Sequence, residues 1–212
     1  MSWPLLLLLE GLLYVVFFGA LSLFRREGLS IPFAIEATVI TAAAAGLTAF
    51  TPLTVNPIVM LVIVYLVTMR VRLLVDVGTL LAQRGQFAQA ERFLAFALRL
   101  WPDPSGRLIV QVNQGVTRLQ QNALDEAIAI FKVVLEQGRQ GYLGVKYESA
   151  AHYNLGVAYR RKRMDAQATA EFNAVLDIWP ASVYARSAGL ALQQGRHKDK
   201  PLGTDQDTPG GE

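Results

Sequence analysis

Cysteine is absent from all 212 residues, so disulfides, thiolate metal sites and cysteine nucleophiles are excluded. Histidine is nearly absent too, with only His152 and His197. There is no paired-histidine spacing, Gly-rich phosphate loop or nucleophile elbow from which a catalytic centre could be assembled. The expectation is a non-enzymatic chain with no cofactor and no metal. Charge is scarce at the start, where only Glu10, Arg25, Arg26, Glu27 and Glu36 precede Arg70. From Arg70 onward 18 Lys/Arg stand against 14 Asp/Glu. That small excess is far from the basic footprint of a nucleic-acid binder, so no nucleic-acid partner is expected.

Apolar residues make up 52% of the chain, too much for an ordinary soluble protein, and they crowd the N-terminus. Trp3 to Phe24 would form a helix of about 33 Å, enough for a hydrocarbon core of about 30 Å. It lacks a basic n-region and a small-x-small cleavage site, so it is expected to be retained rather than removed as a signal peptide. Phe33 to Phe50 follows Ser30 as a cap and Pro32 in the first turn. Its Thr38, Thr41, Ala42, Ala45, Gly46 and Ala49 form a small-residue face that suits close packing of membrane helices and would allow self- or hetero-association. A third stretch, 53–69, starts with Asn56-Pro57 as a cap. No proline or glycine separates it from the helix beyond, so a membrane helix running directly onward is expected. Arg25 and Arg26 between the first two spans, and Arg70 and Arg72 after the third, place these ends on the cytoplasmic side by the positive-inside rule. The N-terminus is then outside, in a multi-pass protein of a bacterial-type inner (plasma) membrane with the lipid bilayer as one partner. Glu10 and Glu36 lie inside spans, where a carboxylate usually faces a partner or water.

Beyond Arg70 one pattern occurs three times. In the clearest copy, with Ser149 at position 1, Leu155 and Gly156 fall at 7 and 8, Tyr159 at 11, Ala168 at 20, Phe172 at 24 and Pro180 at 32. Gly78 with Ala90, and Gly115 with Ala127, repeat positions 8 and 20; Arg118 replaces the aromatic at 11 in the middle copy. Small residues at these positions let two helices approach closely, while Phe131 and Phe172 fill space toward the next repeat. The pattern resembles the tetratricopeptide repeat of roughly 34 residues. The expected fold is therefore all-α: a three-helix transmembrane region at 1–69 (spans near 3–24, 33–50 and 53–69), then a helical-repeat solenoid at 70–195. The repeats are expected near 71–104, 108–141 and 149–182, followed by a capping helix at 182–194. Residues 196–212, polar and rich in Pro and Gly, are expected to be disordered.

The resemblance implies a concave groove lined by the first helix of each repeat. In the middle repeat that selects Val112, Asn113, Val116, Leu119 and Gln120, and in the last Tyr153, Asn154, Val157, Arg160 and Arg161. In proteins of this kind the asparagine at position 6 often hydrogen-bonds a bound peptide, so Asn113 and Asn154 are ligand candidates. The lysine and asparagine of a chaperone-tail clamp are replaced here by Val75 and Thr79, which argues against that ligand. The run Arg160-Arg161-Lys162-Arg163 complements a helix C-terminus and would favour an acidic partner segment. His152 is read as packing. The functional expectation is a non-catalytic, membrane-anchored scaffold holding a protein partner at the cytoplasmic face. The alternative is an accessory or assembly subunit of a larger transporter, respiratory or photosynthetic complex, bound through its membrane helices.

Overall fold

The computed structural model describes residues 2–24 and 30–198, so Arg25, Arg26 and most of the expected tail, 199–212, lie outside the described residues. Ten helices and no strand occur among the described residues. They are α1 (Trp3–Phe24), α2 (Ile31–Phe50), α3 (Pro57–Thr68), α4 (Arg70–Gln83), α5 (Phe87–Arg99), α6 (Pro104–Gln120), α7 (Leu124–Gly138), α8 (Val145–Arg161), α9 (Asp165–Ile178) and α10 (Val183–Lys198). The last helix continues past the expected end at Gln194, through the first residues assigned to the tail.

α1 and α2 are each long and apolar enough to cross a membrane. They pack through small groups. A Cβ on Gly11 would come within 2.3 Å of the Thr41 side chain, and Ala37, Thr41 and Ala45 are buried. Of the expected small-residue face, Thr41 and Ala45 are thus used inside the bundle, while Thr38, Ala42 and Ala49 stay exposed. Hydroxyls are satisfied within their own helices: Thr41, Thr48, Thr51 and Thr68 each donate to the carbonyl four residues back. Tyr14 and Thr68 bond at 2.7 Å and tie α1 to α3. The turn before α3 is held by side chains: the Val55 N–H donates to Thr48 Oγ1, and Trp3 Nε1 donates to the Val55 carbonyl at 3.0 Å. The start of α1 and the α2–α3 turn therefore share the end of the bundle opposite the repeats.

The expectation of a helix running straight from the third apolar stretch into the repeats is corrected. α3 is only 12 residues long, and it meets α4 at a bend of 66°. Side-chain bonds to main-chain carbonyls lie on either side of the bend. Thr68 bonds back to the Val64 carbonyl at 2.7 Å, and the Arg70 guanidinium takes the Val67 carbonyl at 2.6 Å. Inserted side-chain hydrogen bonds of this kind are an established cause of kinks.

α4 to α9 form three antiparallel hairpins, and α10 packs on α8 and α9. A Cβ on Gly115 or Gly156 would sit 2.7 Å from the Phe131 or Phe172 ring. These phenylalanines therefore press on the glycine of their own repeat, rather than chiefly toward the next. Each hairpin turns in the same way, with a left-handed residue at Gly85 (φ 75°), Asn122 (φ 62°) and Arg163 (φ 59°). Matching hydrogen bonds close the turns: Gln86 N–H to Leu81 O, Ala123 N–H to Arg118 O, and Met164 N–H to Tyr159 O, each 2.9 Å. This is a Schellman closure in triplicate. The inserted segment before α8 folds back, with Leu143 buried against Gly138 and Tyr147 packing on the hydrophobic clusters to either side.

Candidate partner-binding groove and the junction beneath it

The first helices of the three hairpins, α4, α6 and α8, lie side by side, with α10 next to α8. On α6, Asn113, Val116 and Gln120 fall on one stripe by helical spacing; the first two are half-buried and Gln120 is exposed. On α8, Tyr153, Asn154, Val157 and Arg160 are half-buried and Arg161 is exposed. Val112 and Leu119, expected in the groove, are instead 3% and 4% exposed and belong to the core.

The two asparagines are not equivalent. Asn113 donates from Nδ2 to the Ile109 carbonyl at 2.8 Å, and its Oδ1 lies 3.0 Å from Thr79 Oγ1, whose one proton is shared with the Val75 carbonyl, so both ends of its amide have a neighbour. Asn154 donates to the Ala150 carbonyl at 2.8 Å, and its Oδ1 accepts nothing among the described residues. Tyr153 lies between Phe172 and Tyr184 in tilted ring contacts at 5.9 and 5.8 Å, which makes it a wall between α8, α9 and α10. Burial, with Tyr153 beside it, pushes the Tyr184 phenol up, so that hydroxyl stays neutral.

The basic run is spent largely on the stack itself. Arg160 lies over the Phe172 ring at 5.4 Å and donates to the Ala191 carbonyl of α10 at 3.2 Å. Arg161 donates to the Leu119 carbonyl at 2.9 Å, Lys162 pairs with Asp125, and Arg163 forms the left-handed turn. Sequence reasoning missed two struts of the same kind. His152 meets Glu171 at 2.6 Å, joining α8 to α9. Arg118, which stands where an aromatic was expected, reaches Glu91 of α5 and Glu126 of α7, both at 3.2 Å. The departure from the aromatic at position 11 was the available signal for this strut.

Below the groove the repeats meet the apolar bundle. Glu36 is not left for another subunit: its carboxylate takes a two-pronged hydrogen bond from Arg70, at 2.6 and 2.8 Å. Arg70 also donates to the Leu100 carbonyl at the end of α5. Its hydrogen bonds to Glu36 push the guanidinium pKa further up despite partial burial. A second tie links the caps of two helices, with Ser30 Oγ donating to Asp103 at 2.5 Å, while Asp103 accepts from the Gly106 N–H at 2.7 Å. A cleft of about 1040 Å³ surrounds these links, walled by Phe18, Tyr65, Met69 and Trp101. Glu10 differs from Glu36: its Oε2 is buried and has no hydrogen-bond partner among the described residues.

The tetratricopeptide repeat family's sequence pattern matches residues 76–142 and 144–183, about half of the chain. The chain belongs to the tetratricopeptide repeat family, whose helical stacks are protein-binding scaffolds rather than enzymes. No curated protein and no solved structure matches it.

Proposed function

We propose that this chain is a membrane-anchored scaffold, non-catalytic, that holds a protein partner in the groove of its repeat domain, 70–195, while residues 1–69 cross the bilayer three times. α1 and α2 supply two spans. The third is α3 with the side-chain-satisfied turn before it, where irregular backbone is tolerated because its polar groups are bonded within the protein. Arg70 and Arg72 at the repeat end favour a cytoplasmic groove and an outside N-terminus, in an inner-membrane protein. The observation that carries the reading is Asn154, whose Oδ1 is unengaged beside Tyr153, Val157 and the stripe Asn113, Val116 and Gln120. Such a surface offers one side-chain acceptor for a partner's main-chain N–H among apolar walls, which suits an extended or helical partner segment. With Arg160 and Arg161 held by carbonyls of α10 and α6, the groove is less basic than the sequence alone suggests, and acidity in the partner is a secondary requirement.

The accessory-subunit reading is favoured by the unpartnered Glu10 oxygen together with exposed Thr38, Ala42 and Ala49 on α2, a surface on which a neighbouring membrane helix could close. A photo-crosslinking residue at Gln120, compared with one at Ala42, separates the two. The scaffold reading expects a protein adduct from Gln120 that disappears with Asn154→Ala. Adducts from Ala42 alone, abolished by Glu10→Gln, would transfer the function to the membrane helices.

A further inference from the structure

The first repeat has a bare stripe on α4 that the later repeats do not have on α6 or α8. Leu73, Val77 and Leu80 lie along one stripe of α4, four and three residues apart. Shifted by the spacing of Gly78 and Gly156, they correspond to Ala151, Leu155 and Ala158 of α8, which are 0%, 2% and 0% exposed. α8 has α7 before it to bury that stripe. α4 has no repeat before it, and Val77 and Leu80 are 40% and 46% exposed. On α5, Phe93 and Phe96 are 38% and 50% exposed. Both pairs point away from α6. Thr79 and Glu91 are the side chains that reach α6, bonding to Asn113 and Gln121, and Val77 and Phe93, each two residues from these, project to the opposite side of the hairpin.

The course of α2 says what lies on that side. Ser30, at its start, is bonded to the cap of α6. Glu36, within its second turn, is bonded to Arg70 of α4. Arg70 and Val77 are seven residues apart and share a stripe. α2 therefore leaves the repeats in the direction the bare face looks, and the bundle it belongs to extends that way. The 66° bend has the same consequence: with α3 along the bilayer normal, α4 runs about 24° off the bilayer plane. Over the 11 residues from Met69 to Leu80 it then climbs only about 7 Å, within the depth of the headgroup layer. Asp76 is exposed at the border of this face with the junction cleft, which Leu73 also lines, and Glu91 is turned to α6. Arg84 is exposed at its far end. Apolar and aromatic side chains with arginine at the edge are the composition of an interfacial helix surface.

We propose that this face, Leu73, Val77, Leu80, Phe93 and Phe96, rests on the same bilayer that α1–α3 cross, the lipid surface standing where a preceding repeat would otherwise pack. The inference rests on the anchoring reading above and goes beyond it. It makes the bilayer the N-terminal cap of the solenoid and fixes the groove's tilt at three places: Glu36–Arg70, Ser30–Asp103 and the buried face.

Because the chain has no cysteine, single nitroxide labels can be placed on full-length protein in vesicles of phosphatidylcholine and phosphatidylglycerol. The labelled variants are Val77→Cys, Leu80→Cys, Phe93→Cys and Phe96→Cys, with Leu12→Cys on α1 as lipid reference and Leu190→Cys on α10 as water reference. The expected result is several-fold greater relaxation by oxygen than by a nickel chelate at the four face positions, as at Leu12. Nickel access matching Leu190, with Leu12 still in lipid, overturns this inference and leaves the anchoring reading intact. Nickel access at Leu12 as well overturns the anchoring and the inference together. Spin–spin broadening at the face that vanishes on dilution with unlabelled protein assigns the face to a second copy and also overturns it.

Discussion

The apolar bundle and the repeat stack are both all-helical, yet the bundle leaves far more of its large apolar side chains on the outside. On α1, Leu8, Leu12, Leu13 and Phe17 are 45%, 59%, 61% and 64% exposed, while the contact with α2 combines the close approach of Gly11 to Thr41 with a small set of inward side chains, Leu7 and Tyr14, the latter against Phe33. In the stack, Phe131 and Phe172 are sealed at 0% and 2% exposure and press on glycines. Water drives the second arrangement, because burying an aromatic ring from water is strongly favourable. Among lipid tails that drive vanishes, and close backbone approach with satisfied hydroxyls holds helices together instead. One chain thus carries two packing logics suited to two solvents, joined at a bend by Arg70.

The largest way to break this contrast is Phe172→Ala, which should cost the stack about 3–5 kcal/mol and lower its melting midpoint, read by circular dichroism, with the bundle's helices retained. Gly11→Val attacks the bundle instead. Overpacking of about 1–3 kcal/mol is expected, read as a longer and broader spin-label distance between α1 and α2, while the stack still melts normally. Cutting the join has a smaller energetic effect. Glu36→Gln removes a pair that is partly open to solvent, at 26% and 35% side-chain exposure, so about 1 kcal/mol or less is expected. Its clearest sign is a broader distance distribution in pulsed spin-label measurements between α1 and α8, with the melting midpoint of the stack unchanged. The smallest effect is a gain: Arg163→Gly should stabilise the stack by about 0.5–1 kcal/mol, because a left-handed residue is replaced by one that adopts that region freely. A denaturant midpoint that stays put or falls would contradict this.

The repeats were legible because their geometry demands particular residues at fixed spacing: a glycine where a phenylalanine ring presses, and an alanine where the second helix crosses. The long apolar runs were legible from length and composition. What was hidden depends on partners distant in sequence. Glu36 finds Arg70 34 residues away, and Ser30 finds Asp103 73 residues away, so neither tie leaves a local pattern. The bend at Met69 was hidden for a different reason: the side-chain bonds beside it, from Thr68 and Arg70, are local, but no proline or glycine marks the break. In the groove, the frame placed Asn113 and Asn154 alike, but Thr79 engages one and not the other. The frame also assigned Leu119 to the surface, where the packing of α6 turns it inward. The basic run could not announce that Arg160 and Arg161 reach carbonyls of α10 and α6.

The most direct test of a scaffold held at a membrane by its first 69 residues is thiol labelling of two single-cysteine variants with a membrane-impermeant maleimide in intact cells. The cysteines are placed at Thr54, in the turn before α3, and at Gln120, on the groove. The expected result is labelling at Thr54 without permeabilisation and at Gln120 only after it, with the protein in the membrane fraction. Labelling of both positions only after lysis, with the protein recovered free of membranes, would contradict the account.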